Sequence, residues 1–312
     1  MATIAWIGLG NMGGPMTANL VAAGHEVVGF DLDAGANEAA AANGVRIATS
    51  VADAVSGADA VFTMLPKGEH VRSVYKGDAG VWANAPATAL LLDSSTVDIE
   101  TSRYCHDESA ARGVRFVDAP VSGGISGAAA GTLTFMLGGA AADVAEAKSL
   151  VDPMAGNVFA VGAATQGIAA KLANNMMLFI SLVAASEGSQ LASSLGIDPQ
   201  TFWDIARVSS ADSWAMRTWY PVPGIVESSA ANRNFDATFA TTLALKDVAL
   251  ALGAGDAAGL SLPAAQLARE QFEQLIAEGL GGKDCSLIAK LVHPDGAVAG
   301  YTPEPEPALA SR

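Results

Sequence analysis

Cysteine is nearly absent. Cys105 and Cys285 are the only two in 312 residues, far apart and without metal-ligand spacing. This excludes a disulfide scaffold and a cysteine-built metal site, so no metal is expected and the chain reads as a reduced, cytoplasmic protein. Aromatics are also scarce, 6% against 51% hydrophobic residues, so the cores must be aliphatic and rich in alanine. The same composition excludes a mostly disordered chain. Positive charge is in short supply: 17 Lys and Arg face 32 Asp and Glu, a net charge of -15. Such a field repels nucleic acid and anionic membrane surface. An anionic substrate must then be held by local cations and backbone amides. The amino terminus has no basic segment followed by an apolar core, so no signal peptide is expected. The most apolar stretch, 168–185, is interrupted by Lys171, Asn174 and Asn175 and reads as a buried helix rather than a membrane span.

A chain of this length suits two domains. Thr3 to Gly8 is a short β-rich run, Asn11 to Ala23 has helical spacing, and Glu26 to Asp31 is a second apolar run. That is one strand-helix-strand crossover. Ala60 to Leu65, Ala89 to Leu92 and Val114 to Val117 read as further strands, with helices near 68–76 and 98–112. The alternation predicts a Rossmann-type α/β domain over 1–163. From Thr165 to Leu195 no proline interrupts a dense apolar pattern, which predicts one linking helix of roughly 46 Å. Asp198-Pro199 reads as an N-cap followed by proline at the first helical position, and Phe239 to Leu252 and Pro263 to Glu278 as helices. An all-α domain is therefore expected over 164–294, and a disordered Pro/Glu tail over 295–312.

Gly8-Leu9-Gly10-Asn11-Met12-Gly13 follows a predicted strand and opens a predicted helix. The first glycine permits a tight turn, the second a close approach of backbone to pyrophosphate, the third close packing of helix on strand. The helix end offers free amides to the phosphates. Asp31 closes the second strand, where a carboxylate accepts ribose hydroxyls and repels a 2'-phosphate, favouring NAD over NADP. A glycine turn kept for packing, and an Asp31 that merely caps a turn, remain the alternatives.

Lys171 stands inside an otherwise apolar helix, where burial would lower its affinity for a proton and make it a usable base. Asn175 lies one turn on, on the same face. By spacing alone, Lys171 could equally be a surface lysine whose stem covers apolar neighbours. Asp118-Ala119-Pro120-Val121-Ser122-Gly123-Gly124 follows a strand, and its bare amides could form an anion nest or simply a turn. Lys246-Asp247 reads as a second buried ion pair.

Together these segments resemble the β-hydroxyacid dehydrogenase family over residues 2–292. The matching motifs are Gly8 to Gly13, Asp118 to Gly124, Gly167-x-x-x-Lys171-x-x-x-Asn175, and Lys246-Asp247. The resemblance implies Lys171 as the catalytic acid/base, with Ser122, Gly123, Gly124 and Asn175 holding the substrate. It implies that Gly8, Leu9, Gly10, Asn11, Met12, Gly13, Asp31, Leu65, Pro66, Thr96 and Lys246 contact NAD. Pro221-Val222-Pro223-Gly224 and Ser229 to Phe235 look like the 3-hydroxyisobutyrate dehydrogenase subgroup. That subgroup implies oxidation of 3-hydroxyisobutyrate to methylmalonate semialdehyde in valine breakdown by a homodimer or homotetramer. A tartronate semialdehyde or glyoxylate reductase, and a non-catalytic NAD sensor, are the rival expectations. His70 stands where relatives often carry asparagine, and the tail has no counterpart.

Overall fold

The computed structural model describes residues 1–303. The chain forms two compact units, with the boundary between Ala173 and Asn174. In the first, β1 (Thr3–Ile7) leads through α1 (Gly13–Ala22) to β2 (Glu26–Phe30), and α2 (Ala34–Ala42), β3 (Arg46–Ile47), α3 (Val51–Val55) and β4 (Ala60–Thr63) follow. Next come α4 (Gly68–Tyr75), α5 (Val81–Asn84), β5 (Leu90–Asp93), α6 (Ile99–Ala111) and β6 (Arg115–Asp118). These strands pair in parallel in the order β3-β2-β1-β4-β5-β6. Every residue of β5 is buried, which is why such strands read as continuous apolar runs without alternation. Strand order reverses at β1, which β2 and β4 flank. In a doubly wound sheet a ligand crevice opens at the carboxyl ends of the strands around that reversal.

Beyond β6 the sheet becomes mixed. β7 (Val121–Ser122), α7 (Gly124–Ala130), β8 (Leu133–Gly139), α8 (Ala141–Val151) and β9 (Ala155–Gly162) complete it. β8 runs antiparallel to β6 and β7 and parallel to β9, giving nine strands among the described residues. The sequence reading places no strand at β8 or β9. The glycines, alanines and Asn157 of β9 are poor strand formers in isolation, and its pairing with β8 overrides that weak local preference. β8 carries the apolar run Leu133 to Leu137 and is paired on both sides. At the centre, Trp6 and Phe62 are register partners on β1 and β4, fully buried, with rings stacked at 4.9 Å.

α9 (Gln166–Ser194) is one continuous helix of 29 residues, about 43 Å long, and the unit boundary falls within it. Asp198 then caps α10 (Pro199–Ala206), accepting from the Thr201 N–H at 2.9 Å, with Pro199 in the first turn. α11 (Trp214–Thr218), α12 (Thr241–Ala257) and α13 (Pro263–Ala277) follow. Two isolated bridges are the only β pairings of this unit among the described residues. The core of this unit has its own ring cluster: Phe179 of α9 packs within 6.4 Å of the rings of Trp219, Phe239 and Phe272.

By length and composition α9 is apolar enough to cross a membrane, with a mean hydropathy of 1.6 over its best 18 residues. The core helix of a globular protein meets the same length and composition, so the hydropathy does not contradict the sequence reading of a buried helix. The polar residues decide its character instead. Lys171, Asn175, Ser186, Ser189 and Gln190 are all buried, while Phe179, Leu182 and Val183 pack in one cluster with residues of α12 and α13. This is how a core helix is built. Of the expected tail, 304–312 lie outside the described residues. Thr302 exchanges two hydrogen bonds with Asn234, at 2.7 and 3.2 Å, and Tyr301 packs on Phe235. Cys105 is buried in α6 of the first unit and Cys285 in the core of the second, both as free thiols.

Candidate active site

The turn between β1 and α1 is shaped by glycine. Gly8 has φ +98°, and a Cβ there would run into the Met64 carbonyl. A Cβ on Gly13 would collide with the Gly8 carbonyl and lie 2.7 Å from Trp6 Nε1, the same indole that donates to Gly8 O at 2.9 Å. Packing therefore dictates the first and third glycines. Gly10 differs, since a Cβ there would meet no atom within 4 Å; its bareness leaves backbone accessible on the outer side of the turn. Met12 is the N-cap of α1, no side chain caps that helix, and no acid sits in its first turn. Uncapped amides and the positive helix end suit a pyrophosphate. The residues present thus fit a dinucleotide.

Asp31 follows β2 directly and reaches this turn. Its Oδ2 accepts from the Leu9 N–H at 2.6 Å and its Oδ1 from the Asp33 N–H at 2.9 Å. Asn37 braces the same backbone through its own amide. Both carboxylate oxygens are engaged, yet a carboxylate carries about four acceptor positions, so ribose hydroxyls can still be received. From the neighbouring strand ends, the Leu65 N–H donates to Ser95 Oγ at 2.8 Å, and Ser95 Oγ donates to Asp93 at 2.6 Å. Thr63 Oγ1 reaches the same Asp93 oxygen at 2.7 Å. Burial pushes the Asp93 carboxyl up to about 6, against the pull of these hydrogen bonds and with a further push from Asp118. Pro66 and His70 are exposed and Thr96 is half-buried; His70 Nε2 lies 3.9 Å from Glu69.

The glycine loop after β6 is equally defined. Ser122 pairs with Thr134 of β8, and Gly123 and Gly124 follow with φ of +137° and +67°. Two consecutive residues in this region need glycine. Lys171 is 7% exposed and Asn175 2% exposed, four residues apart on α9. In the second unit, Asn175 Nδ2 donates to Asp247 Oδ2 at 2.6 Å, and Lys246 Nζ lies 3.2 Å from Asp247 Oδ1. The sequence reading named Lys246-Asp247 and Asn175 separately; Asp247 joins them. It missed Asp93, Thr63, Ser95 and His106. The available signal was that β5 and β6 both end in aspartate, in register as Asp93 and Asp118. No cluster of His, Cys, Asp or Glu suited to a metal ion occurs among the described residues.

Residues 3–162 match the family model for the NAD binding domain of 6-phosphogluconate dehydrogenase, and residues 165–292 match that for NAD-binding of NADP-dependent 3-hydroxyisobutyrate dehydrogenase. A 3-hydroxyisobutyrate dehydrogenase of Pseudomonas aeruginosa is 40% identical over 93% of this chain and 98% of its own length. The chain belongs to the β-hydroxyacid dehydrogenase family. It is a nicotinamide-dependent oxidoreductase of the 3-hydroxyisobutyrate dehydrogenase type. Another relative within the family, the NAD-dependent L-serine dehydrogenase of Pseudomonas aeruginosa, is 38% identical over 94% of this chain and 99% of its own. The solved 3-hydroxyisobutyrate dehydrogenase of Mycobacterium tuberculosis with L-serine superposes at a TM-score of 0.86 and 42% identity, covering 94% of this dehydrogenase and 99% of that chain. The expected architecture, a Rossmann-type unit joined by a long helix to an all-helical one, is the observed one.

Proposed function

We propose that this enzyme oxidises the hydroxymethyl group of 3-hydroxyisobutyrate to the aldehyde, giving methylmalonate semialdehyde, with Lys171 as the general acid/base. Lys171 carries the reading. A lysine only 7% exposed in the second turn of an apolar helix is an unusual burial that a surface lysine does not need, and one turn later a buried amide is already oriented by Asp247. NAD, when bound, supplies the hydride acceptor. Gly8 to Gly13 would hold its pyrophosphate and Asp31 its ribose, with Leu65, Pro66, Thr96 and Lys246 as further contacts; the Asp31 carboxylate favours NAD over NADP. The amides of Gly123 and Gly124 and the Ser122 hydroxyl bind the substrate carboxylate. Lys171 takes the proton from the hydroxyl while Asn175 orients that group. The same reading makes the enzyme cytoplasmic and a homodimer or homotetramer.

L-serine is the second reading. It is 3-hydroxyisobutyrate with an ammonium in place of the methyl group, and relatives named for both substrates cover nearly the whole chain. Initial rates with NAD or NADP against 3-hydroxyisobutyrate, L-serine and D-glycerate separate the possibilities. We expect the highest kcat/KM with NAD and 3-hydroxyisobutyrate; a preference for L-serine would move the substrate and leave the roles intact. Lys171→Ala should lower kcat by about 1000-fold with NAD binding unchanged, and near-normal turnover would remove Lys171 from its role.

A further inference from the structure

The assignments above use Asp118 only as the start of the glycine loop, yet its carboxylate is 2% exposed and has three partners. Oδ1 accepts from the Thr165 N–H at 3.0 Å and lies 2.7 Å from His106 Nε2. Oδ2 accepts from the Ile168 N–H at 2.8 Å. Thr165 and Ile168 belong to the amino end of α9, where backbone amides lack intrahelical acceptors. A capping oxygen usually comes from the adjoining residue. Here it comes from β6, 47 and 50 residues earlier in the chain.

The surroundings are cut to fit this carboxylate. A Cβ on Gly138 would lie 2.7 Å from Asp118 Oδ1, and one on Gly167 would lie 2.8 Å from Oδ2. Thr165 adopts φ +70°, a conformation that a β-branched residue keeps only where its surroundings enforce it, and its N–H is the one that Asp118 holds. His106 reaches in from α6, 90% of its side chain covered, with its ring edge-on to Phe116 at 4.8 Å. The partners α6, β6, β8 and the first turn of α9 all lie in the first unit.

We infer that Asp118 is a positioning residue for the reaction. At the root of the Ser122–Gly124 loop, its carboxylate clamps the amino end of α9 and so fixes Lys171, three residues beyond Ile168, against the groups that hold the substrate. His106 sets the carboxylate's orientation. The inference rests on the roles proposed for Lys171 and the loop. It converts a capping interaction into catalytic geometry, where a misplacement of about 1 Å can cost about 100-fold in rate.

The test compares Asp118→Ala, Asp118→Asn, Lys171→Ala and the Asp118→Ala/Lys171→Ala pair by kcat, KM and NAD affinity, using full-length enzyme. Asp118→Ala should lower kcat by about 30-fold or more, with NAD affinity within about twofold of the parent. Asp118→Asn keeps the shape and one acceptor, and should recover part of the loss, ending about tenfold below the parent. The double variant should be no slower than Lys171→Ala, because Asp118 acts through the lysine. A purely structural role predicts a lower melting temperature with a normal kcat per NAD-binding site, and that result overturns the inference. If Asp118→Ala fails to fold, Asp118→Asn decides: normal kcat and KM defeat the inference, and a lowered kcat with intact NAD binding supports it. Should Lys171→Ala retain turnover, the parent reading falls with it. If Lys171→Ala is inactive while Asp118→Asn matches the parent, only the role of Asp118 falls.

Discussion

Two helices, α1 and α9, begin in the first unit, and their amino ends are finished in opposite ways. α1 starts from a turn in which glycine removes side chains: no residue caps it, and the bare Gly10 meets nothing within 4 Å. α9 starts where a side chain is brought in, with Asp118 accepting from Thr165 and Ile168. The first end carries no side-chain cap, which suits a negatively charged ligand. The second is already filled by the protein's own carboxylate and is unavailable to one. A helix amino end thus receives a ligand or holds a neighbour in place, and which of the two it does is decided by whether the fold delivers a carboxylate to it.

The comparison breaks most severely at Gly13. Gly13→Ala forces a Cβ onto the Gly8 carbonyl, and we expect a stability loss of about 3 kcal/mol by urea denaturation; a loss near zero would show that the turn yields freely. Asp93, in register with Asp118, gives an effect of similar size with a definite pH sign. Burial raises its carboxyl from 3.8 to about 6 in the folded state, so the folded protein holds this proton more tightly than the unfolded chain. The stability tied to that proton is fully present below about pH 4, is lost as pH rises through about 6, and then levels off. The total is on the order of 3 kcal/mol. Asp93→Asn should therefore gain stability relative to the parent at pH 8 but not at pH 4, and parallel pH profiles for the two proteins would exclude this account. Gly10→Ala should leave the melting temperature unchanged and weaken NAD binding about tenfold, or about 1.4 kcal/mol; the reverse pattern would mean that the open end is structural. Smallest is Thr165→Gly, which relieves the positive φ and should stabilise by about 1 kcal/mol in the same urea assay.

What the sequence makes legible follows the same division. The β1 turn is contiguous, so spacing alone locates Gly8, Gly10, Gly13 and the acid at Asp31. α9 is legible because 29 residues without proline leave little alternative to helix. Lys171 and Asn175 stand out within it as polar residues in apolar surroundings, and resemblance supplies the roles proposed for them. β9 is not legible, since it buries no residue and is held by its pairing with β8. β8 has a local signal in Leu133 to Leu137, but its antiparallel turn against β6 breaks the strand-helix alternation by which the other strands are read. Nor is the Asp118 cluster legible, whose members His106, Gly138, and Thr165 with Gly167 come from three separate segments that no spacing in the sequence ties to Asp118. Asp247 lies between: its neighbour Lys246 is visible in sequence, but its bond to Asn175 spans 72 residues.

The two free thiols carry a practical consequence. Each compact unit contains one, wholly shielded from solvent, and burial is the main reason each resists ionising. Alkylating reagents can modify Cys105 or Cys285 only when the surrounding core opens. The enzyme therefore carries a built-in labelling clock in each half, and the ratio of the two modification rates reads out, without any engineered probe, whether the halves open as one cooperative body or in turn.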